Sequence, residues 1–305
     1  MTNPKRIDPS RTGLVRRQFM ADVKRRFAKV SQAIQKFVVE EDAFGLKPSE
    51  MLSFNQAKRG LSIINSGRYQ FKTSPQKVAA YRLWLQQQID AEILTVVGGR
   101  PGKPWLAKYV ESAFKKGMLR AYMDVHAEEL GGKSKFFRGT KEQFLSTAFM
   151  QPEVLEKVEM VFTRAFNDMK GITDNMSNQM SKVLADGFVH GRGPAEIARQ
   201  MRKQVDSIGK NRALVIARTE TINAHAEGQL TAFEELGVVS VGAEVEVEIS
   251  TAGDVLVCEK CQDLEGKVFT TDEARGVIPV HPNCRCCWNP HIEKVPARSE
   301  VVKNP

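Results

Sequence analysis

Within residues 11–39 the apolar side chains fall at Leu14, Phe19, Val23, Phe27, Val30, Ile34 and Phe37. Steps of mostly three and four residues place them along one side of a helix, so this spacing predicts a long amphipathic helix capped by Ser10. Residues 46–75 carry Pro48, Gly60, Gly67 and Pro75 and read as loop. A second helix is expected from about Pro75 to Val97, with Val78, Tyr81, Leu85, Ile89 and Ile93 inward and Gly98-Gly99 as its stop. Pro101 and Pro104 form a hinge before a third, from Trp105 to about Leu130. Its face is Tyr109, Ala113, Met118, Tyr122 and Val125, and Gly131-Gly132 ends it. Helical spacing returns from Pro152 to Val189, with Gly171 as a divider. Gly191 and Gly193 close that stretch. Pro194 suits the first position of the next helix, which buries Ile197, Met201 and Val205. A short turn at 206–209 then gives a helix-turn-helix outline, a weak DNA-binding signal. The following helix spans Asn211 to about Leu236. Gly228 inside it costs roughly 1 kcal/mol relative to Ala, which marks a close approach by another element.

After Gly237 the period changes to two. Val241, Ala243, Val245, Val247 and Ile249 alternate with Glu244, Glu246 and Glu248, as in a half-buried strand with an acidic outer face. Residues 251–254 read as a turn and 255–257 as a short return strand, which makes a hairpin. Thr271-Asp272-Glu273 suits the start of one helical turn. The expected fold class is mainly α, with a small C-terminal β-hairpin and zinc-knuckle module (α+β). The expected divisions are a basic helix at 1–45, a helical region at 46–189, a domain at 190–290 containing the knuckle at 238–290, and a flexible tail at 291–305.

Charge sharpens this division. The chain carries +9 overall, yet residues 1–39 hold ten cations against two acids, and residues 237–305 hold seven cations against eleven acids. A basic arm therefore stands at one end and an acidic module at the other. The arm offers DNA phosphates or an acidic protein groove a face through Arg16, Arg17, Lys24, Arg25 and Arg26. No stretch of eighteen apolar residues occurs, so no membrane helix is expected.

All five cysteines lie in one stretch, CEKCQDLEGKVFTTDEARGVIPVHPNCRCC, at 258–287. Two thiolates spaced C-x2-C grip one tetrahedral ion from a tight turn, and a second turn supplies the remaining ligands. The preferred set is Cys258, Cys261, His281 and Cys284, with Cys286 as the alternative fourth ligand, holding a structural zinc. Disulfide pairing and plain buried thiols are the competing readings. The first forty residues hold no unbroken apolar run, which argues against a secretory signal and so against disulfides. A catalytic zinc would need a base, for which Asp263 and Glu265 are the nearby candidates. No nucleophile, base and orienter follow one another anywhere, so no catalytic residue is assigned and no enzyme is expected.

Several of these segments together carry a resemblance. ARTE at 217–220, STAGD at 250–254, the C-x2-C pair, L-x-G-K-V-F at 264–269 and HPNCRC at 281–286 resemble the phage head morphogenesis family, the Mu F-like minor head proteins. The likeness is strongest over 190–290. The upstream helices, including KPW at 103–105, resemble the less uniform front part of such proteins. The resemblance implies a low-copy virion protein recruited inside the prohead near the portal. It would assist assembly, DNA packaging or ejection, with portal and other head proteins as partners, after a stay in the host cytoplasm during assembly. The alternatives are a zinc-dependent nuclease or hydrolase, or a DNA-binding accessory factor.

Overall fold

The computed structural model describes residues 8–42, 74–94, 105–128, 139–240 and 246–291. Predictions at 43–73, 95–104, 129–138, 241–245 and 292–305 lie outside them. Among the described residues the elements in chain order are α1 (Gly13–Ile34), a π-helical extension (Gln35–Glu40), α2 (Ser74–Glu92), α3 (Ala107–Glu128), α4 (Lys141–Ala148) and α5 (Pro152–Val189). These are followed by α6 (Pro194–Ile208), a π segment (Gly209–Ala213), α7 (Leu214–Ser240), β1 (Glu246–Ser250), the single turn α8 (Glu259–Gln262), β2 (Val268–Thr270), the single turn α9 (Thr271–Ala274) and β3 (Cys287–His291). The fold is mainly α with a small antiparallel sheet near its C-terminal end.

The chain divides into two compact units. One comprises Arg16–Tyr109 and Phe162–Arg218. In it α1 buries Phe19, Val23, Phe27, Val30 and Ile34 as the periodicity predicts. The π-helical extension rotates the stripe at its end, so Val38 is buried while Phe37 is half-buried against the Trp84 ring, centroids 4.5 Å apart. At the start of the helix Leu14 is exposed and Val15 buried. Ser10 is not its cap. Its hydroxyl bonds Asp8 and accepts from the Thr12 N–H, one turn short of the helix. Tyr81, Leu85, Ile89 and Ile93 are buried along α2, as are Met169, Met176, Met180 and Leu184 along α5.

Two expected breaks are absent. α5 runs unbroken through Gly171, where a Cβ would meet nothing within 4 Å. The turn expected at 206–209 is instead helical, because Gly209 has φ −61° and ψ −42° and the π segment carries the chain into α7. Gly209 is a packing glycine: a Cβ there would press under 3.0 Å into the Phe27 ring. The helix-turn-helix outline drawn through that turn therefore falls. The true turn is at 190–193, where Gly191 takes φ 62°.

The other unit comprises Met1–Val15, Val110–Val161 and Thr219–Pro305. Its core joins Phe114, Met118 and Val125 of α3, Val154 and Val158 of α5, and Ile222, Leu230, Phe233 and Leu236 of α7 to the sheet residues Val247, Ile249 and Trp288. Helix α4 was missed by periodicity, yet Thr140 and Gln143 form a reciprocal capping box that a search for T-x-x-Q would have found. Gly228 does mark a close approach. A Cβ on it would fall under 3.0 Å from the Phe114 backbone, and one on Gly117 would meet the His225 carbonyl. Helices α3 and α7 thus pass backbone to backbone.

The sheet order is β2-β1-β3, all antiparallel. Val247 and Ile249 are buried and Glu246 and Glu248 half-buried, as the alternation predicts. The expected hairpin partner was wrong. Val255 is 87% and Leu256 56% exposed, and neither lies in a strand. Strand β1 pairs with residues 268–270 on one side and 287–291 on the other, where Trp288 faces Ile249. The fully buried Trp288 and the half-buried Phe269, in T-shaped contact at 5.7 Å, favour those strands over an exposed Val-Leu pair.

Candidate metal centre

Cys258 is the N-cap of the turn α8, in extended conformation, and that turn places Cys261 on its inner side. The second set of donors comes from the loop entering β3. Within it Asn283 takes φ 65°, and Cys286 N–H points to the Cys284 sulfur at 3.5 Å. Two triads result, Cys258–Cys261–His281 and Cys261–Cys284–Cys286, each with its donor atoms within 4.8 Å of one another. Cys261 belongs to both. All five side chains singled out from the sequence therefore converge. Cys258 is exposed at the rim, while Cys261, Cys284 and Cys286 are buried.

The histidine is oriented for a ligand role. Its Nδ1 lies 2.8 Å from the Pro282 carbonyl, which can only accept, so the proton sits on Nδ1. Nε2 then turns its lone pair toward the Cys261 sulfur, 3.2 Å away. The thiols themselves disagree over protons. Hydrogen bonding to Cys286 holds Cys284 low, at about 5, against the opposing effect of burial. Burial and then the Cys284 charge push Cys261 up to about 12, and the bond to Cys284 followed by burial pushes Cys286 up too. Without a cation, only one of these packed sulfurs carries charge comfortably. A divalent ion reverses that balance, and a soft sulfur-rich set with one imidazole suits zinc. The donors present fit a structural ion, which when bound would tie the two turns together.

Cys287 is the exception. It starts β3 opposite Ser250, outside both triads, and its burial raises its thiol to about 12 beside the charges of Arg120 and Asp124. Glu265, a candidate base, instead accepts the Thr251 N–H at 2.8 Å.

Several other motif residues are bonded to one another. Thr219 of ARTE accepts from the Asn283 N–H of HPNCRC at 3.2 Å. Asp254 of STAGD receives both Nη atoms of Arg285, each at 2.6 Å. Three further contacts, none visible in the sequence, seat the module on α7. Gln229, fully buried, donates to the Trp288 carbonyl at 2.7 Å and accepts its N–H at 3.1 Å. Arg275 pairs with both Glu227 and Glu234. The Asp254 side chain is only 9% exposed, so its fork with Arg285 is shielded from water. Replacing Arg285→Lys keeps the charge but loses the planar pair. It should cost about 1–2 kcal/mol, read as a fall in urea midpoint at unchanged m-value.

The basic face assigned to the first helix is partly used internally. Arg25 pairs with Asp22, and Arg26 reaches the Glu92 carbonyl at 2.6 Å while lying 4.3 Å from the Trp105 ring centre. Arg16 is half-buried, and Arg17 and Lys24 are exposed. Asp22 is the local anchor. Burial works to raise its pKa, but the Tyr109 hydroxyl at 2.5 Å and the Lys108 ammonium hold it below the usual carboxylate value.

Residues 178–288 match the model of the family described as phage Mu protein F like protein. The matched segment takes in α6, α7 and both cysteine turns, and over it the chain is similar to Mu F-like proteins. Comparison with curated proteins and with solved structures gave no match. No helix among the described residues is long and apolar enough to cross a membrane.

Proposed function

We propose that this protein is a minor head protein of a tailed bacteriophage, seated near the portal inside the head, where it assists assembly and DNA packaging or ejection. The observation that carries the reading is the Mu F-like segment whose polar motif residues bind each other: Thr219 with Asn283, Asp254 with Arg285, Glu265 with Thr251. Side chains spent in this way hold a rigid knob together and leave little polar chemistry for a substrate, as suits a building part. In this reading Cys258, Cys261, Cys284 and His281 or Cys286 hold a structural zinc, portal and other head proteins are the partners, and the exposed Arg17 and Lys24 face an acidic surface or packaged DNA. The protein passes from the host cytoplasm into the virion as heads assemble.

Quantitative mass spectrometry of purified virions tests this. The protein is expected at a few copies per particle against hundreds of major capsid subunits, and depleted from particles assembled without portal. Its absence from purified virions sinks the reading.

A further inference from the structure

We propose that the charged side of α6 and the π segment after it form a docking groove for the phosphate backbone of duplex DNA. Arg199, Arg202, Lys203, Asp206, Ser207 and Lys210 line a cleft of about 460 Å³. The helix is sharply two-sided: Ile197, Ala198, Met201, Val205 and Ile208 are buried, while every residue lining the cleft is exposed. Four cations face one carboxylate. Arg202 bonds the Gln35 amide oxygen at 2.9 Å, and among the described residues no carboxylate pairs with Arg199, Lys203 or Lys210.

Like charges crowded within a Debye length of about 8 Å repel one another, and an anion from outside removes that penalty. The chemistry of the lining says which anion. Guanidinium forks match phosphate oxygens in pairs, ammonium groups follow as point charges, and the Ser207 hydroxyl adds a neutral donor. A protein partner would want an aromatic or aliphatic anchor at the centre of its contact, and interfaces are depleted in Lys. This cleft has no apolar side chain in its lining. At about 1.5 Å per residue the stripe from Arg199 to Lys210 is roughly 16 Å long, close to five base pairs of duplex. Contacts to phosphate oxygens carry no base information, so a groove that follows the backbone binds independently of sequence. The choice of duplex DNA as the polyphosphate rests on the head-protein reading; the phosphate chemistry does not.

The test uses the full chain and a labelled random-sequence DNA duplex, titrated over a range of salt. The wild-type protein is expected to bind with an affinity that falls linearly in log–log form with salt. The Arg199→Gln, Lys203→Gln, Lys210→Gln triple variant changes only exposed side chains, so its circular dichroism should match wild type. It is expected to lose at least tenfold in affinity at low salt, and its salt slope should shrink by about two to three units. An Arg17→Gln, Lys24→Gln variant serves as the control for α1. Four results overturn the proposal: no duplex binding by the wild type, a triple variant that binds like wild type, loss of binding confined to the α1 variant, or loss of capture by purified portal with duplex binding unchanged. Copy number in virions is measured separately. Protein present in particles but blind to DNA removes the groove alone; protein that binds DNA but is absent from particles removes the head-protein reading alone.

Discussion

Replacing Gly228→Ala is expected to destabilise the protein by about 2–4 kcal/mol, even though alanine is the better helix former. The intrinsic preference gains roughly 1 kcal/mol. Against it stands a methyl placed under 3.0 Å from the Phe114 carbonyl oxygen and carbon of the facing helix. Backbone cannot swing aside as a flexible side chain can, so α3 and α7 must separate and the core between them opens. Gly117→Ala is the mirror case, its methyl striking the His225 carbonyl. Both glycines serve one crossing, so the double variant should cost less than the sum of the singles. The internal control is Gly171→Ala, also within a helix but with open space around the added carbon; it should stabilise by about 0.5–1 kcal/mol. Urea unfolding of the three variants checks this. Equal effects at Gly171 and Gly228 would refute the close crossing.

Removal of Cys261 is expected to empty the metal centre. This sulfur alone sits in both donor triads, so Cys261→Ala breaks each of them, whereas the loss of any other donor leaves one triad whole. Elemental analysis of reduced, folded protein should find about one zinc per chain in the wild type and almost none in the variant. The stability loss should be several kcal/mol, short of the roughly 10–16 kcal/mol seen in zinc-finger peptides. The difference arises because this module is also held by Gln229, Arg275 and the packing of Trp288. Hydrogen exchange should place the loosening between Cys258 and Cys287, with α1 and α2 unaffected. Cys287→Ala is the matched control: it removes an equally buried thiol and should leave the zinc content unchanged. Between His281→Ala and Cys286→Ala, the one that lowers zinc content identifies the fourth ligand. A wild-type protein that is reduced, folded and free of metal would overturn the assignment.

How far these features were legible beforehand varied with the range over which they act. The helices α1, α2, α3 and α5 were readable because a buried stripe leaves its own spacing in the chain, as at Tyr81, Leu85, Ile89 and Ile93. The convergence of the cysteines and His281 was readable because two tight turns each impose a short local spacing. The division at Gly171 failed because a single glycine costs a long helix only roughly 1 kcal/mol, and the turn at 206–209 failed because of packing. A glycine weakens a helix locally, but at Gly209 the outcome depends on what lies outside the helix, and there lies the Phe27 ring. The pairing of β1 failed similarly, since Val255 and Leu256 have strand-like composition yet nothing to bury against.

Periodicity, charge asymmetry and the cysteine spacing by themselves determined a mainly helical protein with a basic leading helix and a Cys/His knuckle near its C-terminal end. Only the tertiary structure decided that Cys287 is buried at the start of β3, beside Arg120 and Asp124. It also decided that Gln229 and Arg275 seat the module on α7, and that Arg26 turns inward onto Trp105. The reason is distance along the chain. Local spacing records which face of an element is buried, but a contact between residues dozens of positions apart depends on how the elements pack, and no short stretch of sequence carries that information.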